Sequence, residues 1–255
     1  MFFKRLFKST DTDNSQAQND NASNNRPSMI CIYAAYNIDD DDYKFIKNNK
    51  DDCSFIVIDS MDRPSLNNNR LRRMDGIEYI TRPNVGYDVS AWKDYILDNY
   101  NKLKEFDYVA LVNNSCRYDF KIRDALNDMI RKQATFYGLN ISPVHNDHIQ
   151  SYFIIIAKEV VMTPGFYEHW RYMRPINGRD DAIKGHELTF MNDMKRAGAK
   201  TATLTTYDFI GSGYEPERYH KDMGTVPPFI KKKLMTQGAT RSVYERLLKT
   251  LPHML

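Results

Sequence analysis

No stretch of the 255-residue sequence approaches the roughly 18 to 20 consecutive apolar residues that a membrane-spanning helix needs. The strongest apolar run, residues 152–157, is far too short, which excludes a helical integral membrane protein. The opening Met1-Phe2-Phe3-Lys4-Arg5-Leu6-Phe7-Lys8 has no long apolar segment behind its charges, which argues against a secretory signal. Cysteine is scarce. Cys31, Cys53 and Cys116 are an odd set without metal-ligand spacing, so neither a disulfide framework nor a zinc site is expected, and the thiols read as those of a cytosolic protein. No Gly-x-Gly-x-x-Gly follows the first apolar run, which disfavours a Rossmann dinucleotide enzyme. A Gly-x-Ser-x-Gly elbow is missing too, and His148 lies three residues from Ser151 on an extended segment, on the opposite face, so a hydrolase is discounted. Charge of one sign is also lacking: 36 basic and 33 acidic residues leave +3, too little and too dispersed to indicate a nucleic-acid partner.

What is present fits a globular protein with a substantial core: 42% of residues are hydrophobic and 27% charged, over a length that suits one elaborated domain. Residues 9–26 are mostly Asp, Asn, Ser, Gln and Thr, a composition that cannot recover the entropy of ordering. The expected organisation is a basic tip and disordered tether over 1–27, a folded domain over 28–210 and a basic loop-and-helix extension over 211–255. Both ends carry local positive charge, Lys4, Arg5 and Lys8 at one and Lys231-Lys232-Lys233 at the other, and either could touch an anionic membrane surface.

Short β-branched and aromatic runs at 29–35, 54–59, 76–81, 108–113 and 134–140 read as strands, the first, second and fourth apolar enough to be buried on both faces. Helical spacing occupies 40–50, 88–103 and 118–132 between them. Such alternation predicts an α/β fold with a mostly parallel sheet flanked by helices. Further on, 150–158 and 201–207 read as strands and 159–173 and 187–196 as helices; loops and a helix over 241–251 complete the chain.

In open α/β sheets ligands bind beyond the carboxyl ends of the strands. Those positions here hold Tyr36-Asn37, Asp59-Ser60, Arg82-Pro83-Asn84-Val85-Gly86-Tyr87-Asp88 and Asn113-Asn114-Ser115, four polar clusters at consecutive strand ends. Pro83 restrains Arg82 to an extended conformation, Gly86 permits a turn, and Asp88 falls at or near the cap of the helix that carries Trp92.

Together with Val57-Ile58-Asp59-Ser60, Val89-Ser90-Ala91, Leu111-Val112, His148-Ile149-Gln150-Ser151-Tyr152-Phe153, the aromatics of 166–170 and Glu187-Leu188-Thr189, this series resembles the rhamnan synthesis protein F family of glycosyltransferases. The resemblance implies a GT-A-like, Rossmann-type fold that moves a sugar, a candidate being rhamnose or a related deoxyhexose, from a dTDP-, UDP- or GDP-linked donor to a growing surface glycan. It implies that Asp59 contacts the base or ribose and that Arg82, Asn84, Gly86 and Asp88, with Tyr36, Asn113 and Asn114, surround the nucleotide and donor sugar. Asn113-Asn114-Ser115 occupies the place where GT-A enzymes usually carry an Asp-x-Asp metal motif. Without those acids a Mg²⁺ or Mn²⁺ ion is left open: Asp88 and the Asn114 amide could hold one weakly, or Arg82, Arg117 and Lys93 could neutralise the diphosphate instead. Glu187 is the implied catalytic base. The expected setting is cytoplasmic, at the inner face of the membrane if the acceptor is lipid-linked. The missing acids also keep open a non-catalytic nucleotide-sugar or carbohydrate-binding module on the same scaffold.

Overall fold

The computed structural model describes residues 26–61, 65–143, 147–206, 216–236 and 238–250. The tip and tether, apart from residues 26 and 27, lie outside the described residues, as does Tyr207 at the end of the last expected strand.

Four β-branched runs form the parallel half of the sheet: β1 (Met29–Ala35), β2 (Ser54–Asp59), β3 (Ile77–Thr81) and β4 (Tyr108–Asn113), in the spatial order β3-β2-β1-β4. The sheet continues antiparallel through β8 (Phe153–Ala157) to β6 (Phe136–Ser142), which also carries the two-residue β7 (His148–Ile149) and, in parallel, β9 (Thr201–Thr205). This eight-stranded, mostly parallel sheet is the expected architecture. A separate ribbon joins β5 (Cys116–Tyr118) to β10 (Phe229–Lys231).

The helices are α1 (Asp40–Asn49), α2 (Leu66–Arg72), α3 (Tyr87–Asp98), α4 (Ile122–Arg131), α5 (Pro164–Tyr172), α6 (Leu188–Arg196), α7 (Pro216–Met223) and α8 (Gly238–Thr250), besides several single turns. They cover both faces, because successive strand side chains point to opposite sides. Cys31, Tyr33, Phe55, Val57, Ala110 and Val112 pack on one face with α1 and α4. Ile30, Ile32, Ile56, Ile58, Val109 and Leu111 pack on the other with α3, α5 and α6. Tyr219, Phe229, Ile230 and Tyr244, from beyond residue 210, belong to the first of these cores.

Several boundaries differ from expectation for local reasons. The helix expected over 88–103 is present as Tyr87–Asp98 and the single turn Tyr100–Leu103, broken at Asn99, whose side-chain amide donates to the Tyr95 carbonyl at 3.0 Å and competes with the helical backbone. The one expected over 118–132 starts only at Ile122, since 116–118 pairs with β10. That expected over 159–173 is split by Pro164, which begins α5 with Thr163 as its cap, the hydroxyl accepting from the Phe166 N–H at 3.2 Å. Helix α2 was not anticipated: its sequence shows little amphipathic pattern, and a capping box between Ser65 and Asn68 starts it.

Candidate active site

Parallel pairing brings the carboxyl ends of β1 to β4 to one sheet edge: Ala35 stands beside Asp59, Asp59 beside Thr81, and Ala34 beside Asn113. Against that edge lies a cavity of about 470 Å³. Its walls come from the start of α3 (Tyr87, Asp88, Val89), the β4–β5 turn (Asn113, Ser115), the turn before β8 (Ser151, Tyr152), the one-turn π-helix Ile183–Glu187 and the stretch Lys231 to Lys233. A π-bulge interrupts regular helix at a cost and recurs at functional sites. A larger cavity, about 1200 Å³, lies between α5 and α6, and no strand-end residue lines it.

Gly86, with φ of 74°, turns the chain into α3 and serves as its cap. A Cβ there would meet the Ser90 hydroxyl oxygen at 2.0 Å, so glycine is required both by conformation and by space. Tyr87 follows at φ 58°, an uncommon backbone region for a bulky residue, and its side chain is exposed on the cavity wall. Asp88 therefore sits in the first helical turn, two residues past the cap, near it as expected. One of its oxygens lies 3.0 Å from the Val89 N–H, while the other accepts from the Asn113 amide. Burial raises its pKa, and the nearby Glu187 charge adds to that rise. Asn113 in turn accepts from the Ser115 N–H at 3.0 Å and from its hydroxyl at 2.6 Å. Across the cavity, Glu187 accepts from the Ser151 N–H at 3.2 Å.

Asp88, Asn113 and Glu187 thus share one cavity; Tyr36, Asp59, Arg82, Asn84, Gly86 and Asn114, also singled out in the sequence, do not line it. Asp59 is buried and satisfied, accepting from the Tyr79 hydroxyl at 2.6 Å, from the Met61 N–H at 3.0 Å and from the Asn68 amide. Asn114 braces the β1 end, exchanging hydrogen bonds with the Tyr36 backbone at 2.9 and 3.3 Å. Asn84 is exposed on its turn, outside the residues that line the cavity. The cations expected to meet a diphosphate are engaged elsewhere. Arg82 pairs with Asp94 at 2.8 Å, Lys93 donates to the Met173 carbonyl at 2.7 Å, and Arg117 pairs with Asp119 at 2.9 Å.

The cavity's own cations are Lys231 to Lys233, which by sequence alone read as part of a basic chain end. No local signal could have moved them, since their position depends on β10 pairing with β5 more than a hundred residues away in sequence. Tyr87, within the Asn84 to Asp88 turn that the resemblance places against the nucleotide and donor sugar, does line the cavity. Trp92, Trp170 and Phe166 are core residues with no exposed surface. The donor set does not suit a divalent ion. Among the described residues no three His, Cys, Asp or Glu side chains gather to hold one, and the Asn113 and Asn114 oxygens are occupied internally.

The chain is similar to protein y4gN of Sinorhizobium fredii, with 25% identity over 130 residues, covering 49% of this chain and 34% of that protein. It therefore spans about a third of that relative's length. Among solved structures it is similar to S. aureus TarS residues 1–349, with 11% identity, a TM-score of 0.43, and coverage of 71% of this chain and 59% of that one. It is also similar to the WbbM bifunctional glycosyltransferase, with 10% identity, a TM-score of 0.37, and coverage of 62% and 37% respectively. The sequence matches the profile described as rhamnan synthesis protein F over residues 56–254, most of its length, and the chain belongs to that family.

Proposed function

We propose that this protein is a glycosyltransferase of polysaccharide synthesis that moves a sugar from a nucleotide-linked donor to the hydroxyl of a growing glycan. The observation that carries the reading is the meeting of Asp88, Asn113 and Glu187 in one cavity at the carboxyl ends of parallel strands. In the reaction the acceptor oxygen forms a bond to the anomeric carbon of the donor sugar, and the bond from that carbon to the diphosphate breaks, its electron pair leaving with the phosphate. Glu187 takes the acceptor's proton. Its hydrogen bond from Ser151 orients the carboxylate without consuming both oxygens. Asp88 and Asn113 position the donor sugar, and Tyr87 offers an exposed ring on which a base or sugar can lie.

The finer assignment is a deoxyhexosyl transfer, with rhamnose as first candidate on the strength of the family. The donor nucleotide is dTDP, UDP or GDP. The reaction belongs at the cytoplasmic face of a membrane, where the basic tip would hold the enzyme near a lipid-linked acceptor. No helix among the described residues is long and apolar enough to cross a membrane, in keeping with a peripheral position.

Thermal-shift measurements against dTDP-, UDP- and GDP-sugars test the reading, because a ligand at 100 times its dissociation constant adds about 2.7 kcal/mol of stability. One donor is expected to stabilise the protein and to be slowly hydrolysed or transferred by it. Binding without turnover across donors and acceptors would leave a carbohydrate-binding module; no binding at all would overturn the proposal.

A further inference from the structure

The diphosphate released by glycosyl transfer carries developing negative charge that must be met by cations or by aimed donors. The cavity carries the Asp88 and Glu187 carboxylates on one side and three lysines on another, so an anionic group would be met at the lysine wall. Where an Asp-x-Asp motif would place its two carboxylates stand Asn113 and Ser115, neutral side chains that hydrogen-bond to each other, and the Asn114 oxygen between them accepts from the Tyr36 N–H. Three consecutive lysines form part of the cavity wall, and their charge opposes entry of a divalent ion.

The lysines are held there by construction. Phe229 pairs with Tyr118, Ile230 with Arg117 and Lys231 with Cys116, the first two of these β10 residues being fully buried. The Lys232 N–H donates to the Ser115 carbonyl at 2.9 Å, which ties the segment to the turn that carries Asn113. The Lys232 ammonium reaches away to Asp39 at 2.8 Å and to the buried Asp42, and so fastens the segment to the N-terminal end of α1. Lys231 has its ammonium 5.2 Å from the centre of the Tyr152 ring, itself a cavity residue, and Lys233 is exposed at the rim. With the Lys232 charge met by Asp39 and Asp42, Lys231 and Lys233 are the cations on this wall, and their charge favours an anionic group beside them.

Resting on the reading of a nucleotide-sugar donor, we infer that Lys231 and Lys233 bind the donor's diphosphate directly, in place of a divalent cation, while Lys232 positions them. The test is calorimetry of the full chain in EDTA with UDP, dTDP and GDP, each beside its nucleoside. At least one diphosphate is expected to bind without metal and more tightly than its nucleoside. Lys233→Met, an exposed change that leaves the fold intact, should weaken that diphosphate by about 10-fold or more, Lys231→Met/Lys233→Met further still, and the lysine-to-arginine pair should retain most of the affinity. Nucleoside affinity should stay unchanged in every variant, which also reports a preserved fold. Equal diphosphate binding by wild type and the double variant overturns the inference while sparing the transferase reading, as does wild-type binding that appears only with Mn²⁺ or Mg²⁺. Failure of wild type to bind any of the nucleotides under either condition overturns both.

Discussion

The side-chain amide of Asn113, the last residue of β4, donates to the Asp88 carboxylate in the first turn of α3, and its oxygen accepts twice from Ser115. The sheet edge, the helix start and the β4–β5 turn are thereby locked together before any ligand arrives. An amide suits this position because it donates on one side and accepts on the other, which a carboxylate beside Asp88 and Glu187 could not do without protonation.

Glu187→Gln keeps an oxygen for the Ser151 N–H and removes the base. Turnover is expected to fall by ~100-fold or more with the melting temperature and donor affinity little changed. Near-normal turnover in a steady-state transfer assay would remove Glu187 from the reaction.

Gly86→Ala places a Cβ into the Ser90 side chain and forces a left-handed backbone on a residue that resists it. A loss of roughly 1 to 3 kcal/mol in urea unfolding is expected, together with weaker donor binding as Tyr87 and Asp88 shift. Unchanged stability would show that the turn relaxes freely.

Lys232→Met leaves the buried Asp42 without its cation. Burial raises the Asp42 pKa from 3.8 to about 6 even with Lys232 opposing the rise. Folding therefore favours the protonated acid: its contribution is fully present below 3.8 and is lost as pH climbs through about 6. The deficit of the variant should thus be largest near pH 8, on the order of 3 kcal/mol, and smaller near pH 5. A deficit independent of pH in chemical denaturation would contradict this account.

His169 and His186 titrate with the opposite sign. Burial lowers both pKa values, and His169 and His186 contact each other at 3.0 Å beneath Trp170 and Phe190. The unfolded chain binds their protons more readily, so their stabilisation is complete above the ordinary value of 6.5 and is lost as pH falls below it. The melting temperature of His186→Phe should accordingly fall less than that of wild type on going from about pH 7.5 to 5.5, the slope per group being at most ~1.4 kcal/mol per pH unit. Parallel curves would exclude His186 as the source.

Removal of residues 1–26 takes away Lys4, Arg5 and Lys8 of the tip together with Arg26, and should reduce binding to anionic liposomes by about 100-fold or more, at about 1 kcal/mol per basic residue. Donor hydrolysis should be spared. Liposome binding equal to that of the full chain would withdraw the membrane role.

The sequence by itself determined the sheet: Met29–Ala35 is apolar at every position, Tyr108–Asn113 at every position before its closing Asn113, and only a strand covered on both faces buries such runs. It also determined which polar residues follow the strands, and parallel pairing then gathers those ends at one edge. Local sequence does not encode which of them face a common cavity, because that depends on contacts between distant segments. Asp59 is turned inward by Asn68 and Tyr79, while Asp88 is drawn to Asn113 and Glu187 is brought in by a π-turn. Lys231 and Lys233 show the same limit most plainly. Only the pairing of β10 with β5, and the reach of Lys232 to Asp42 across 190 positions of sequence, turns a basic stretch near the chain end into a wall of the site.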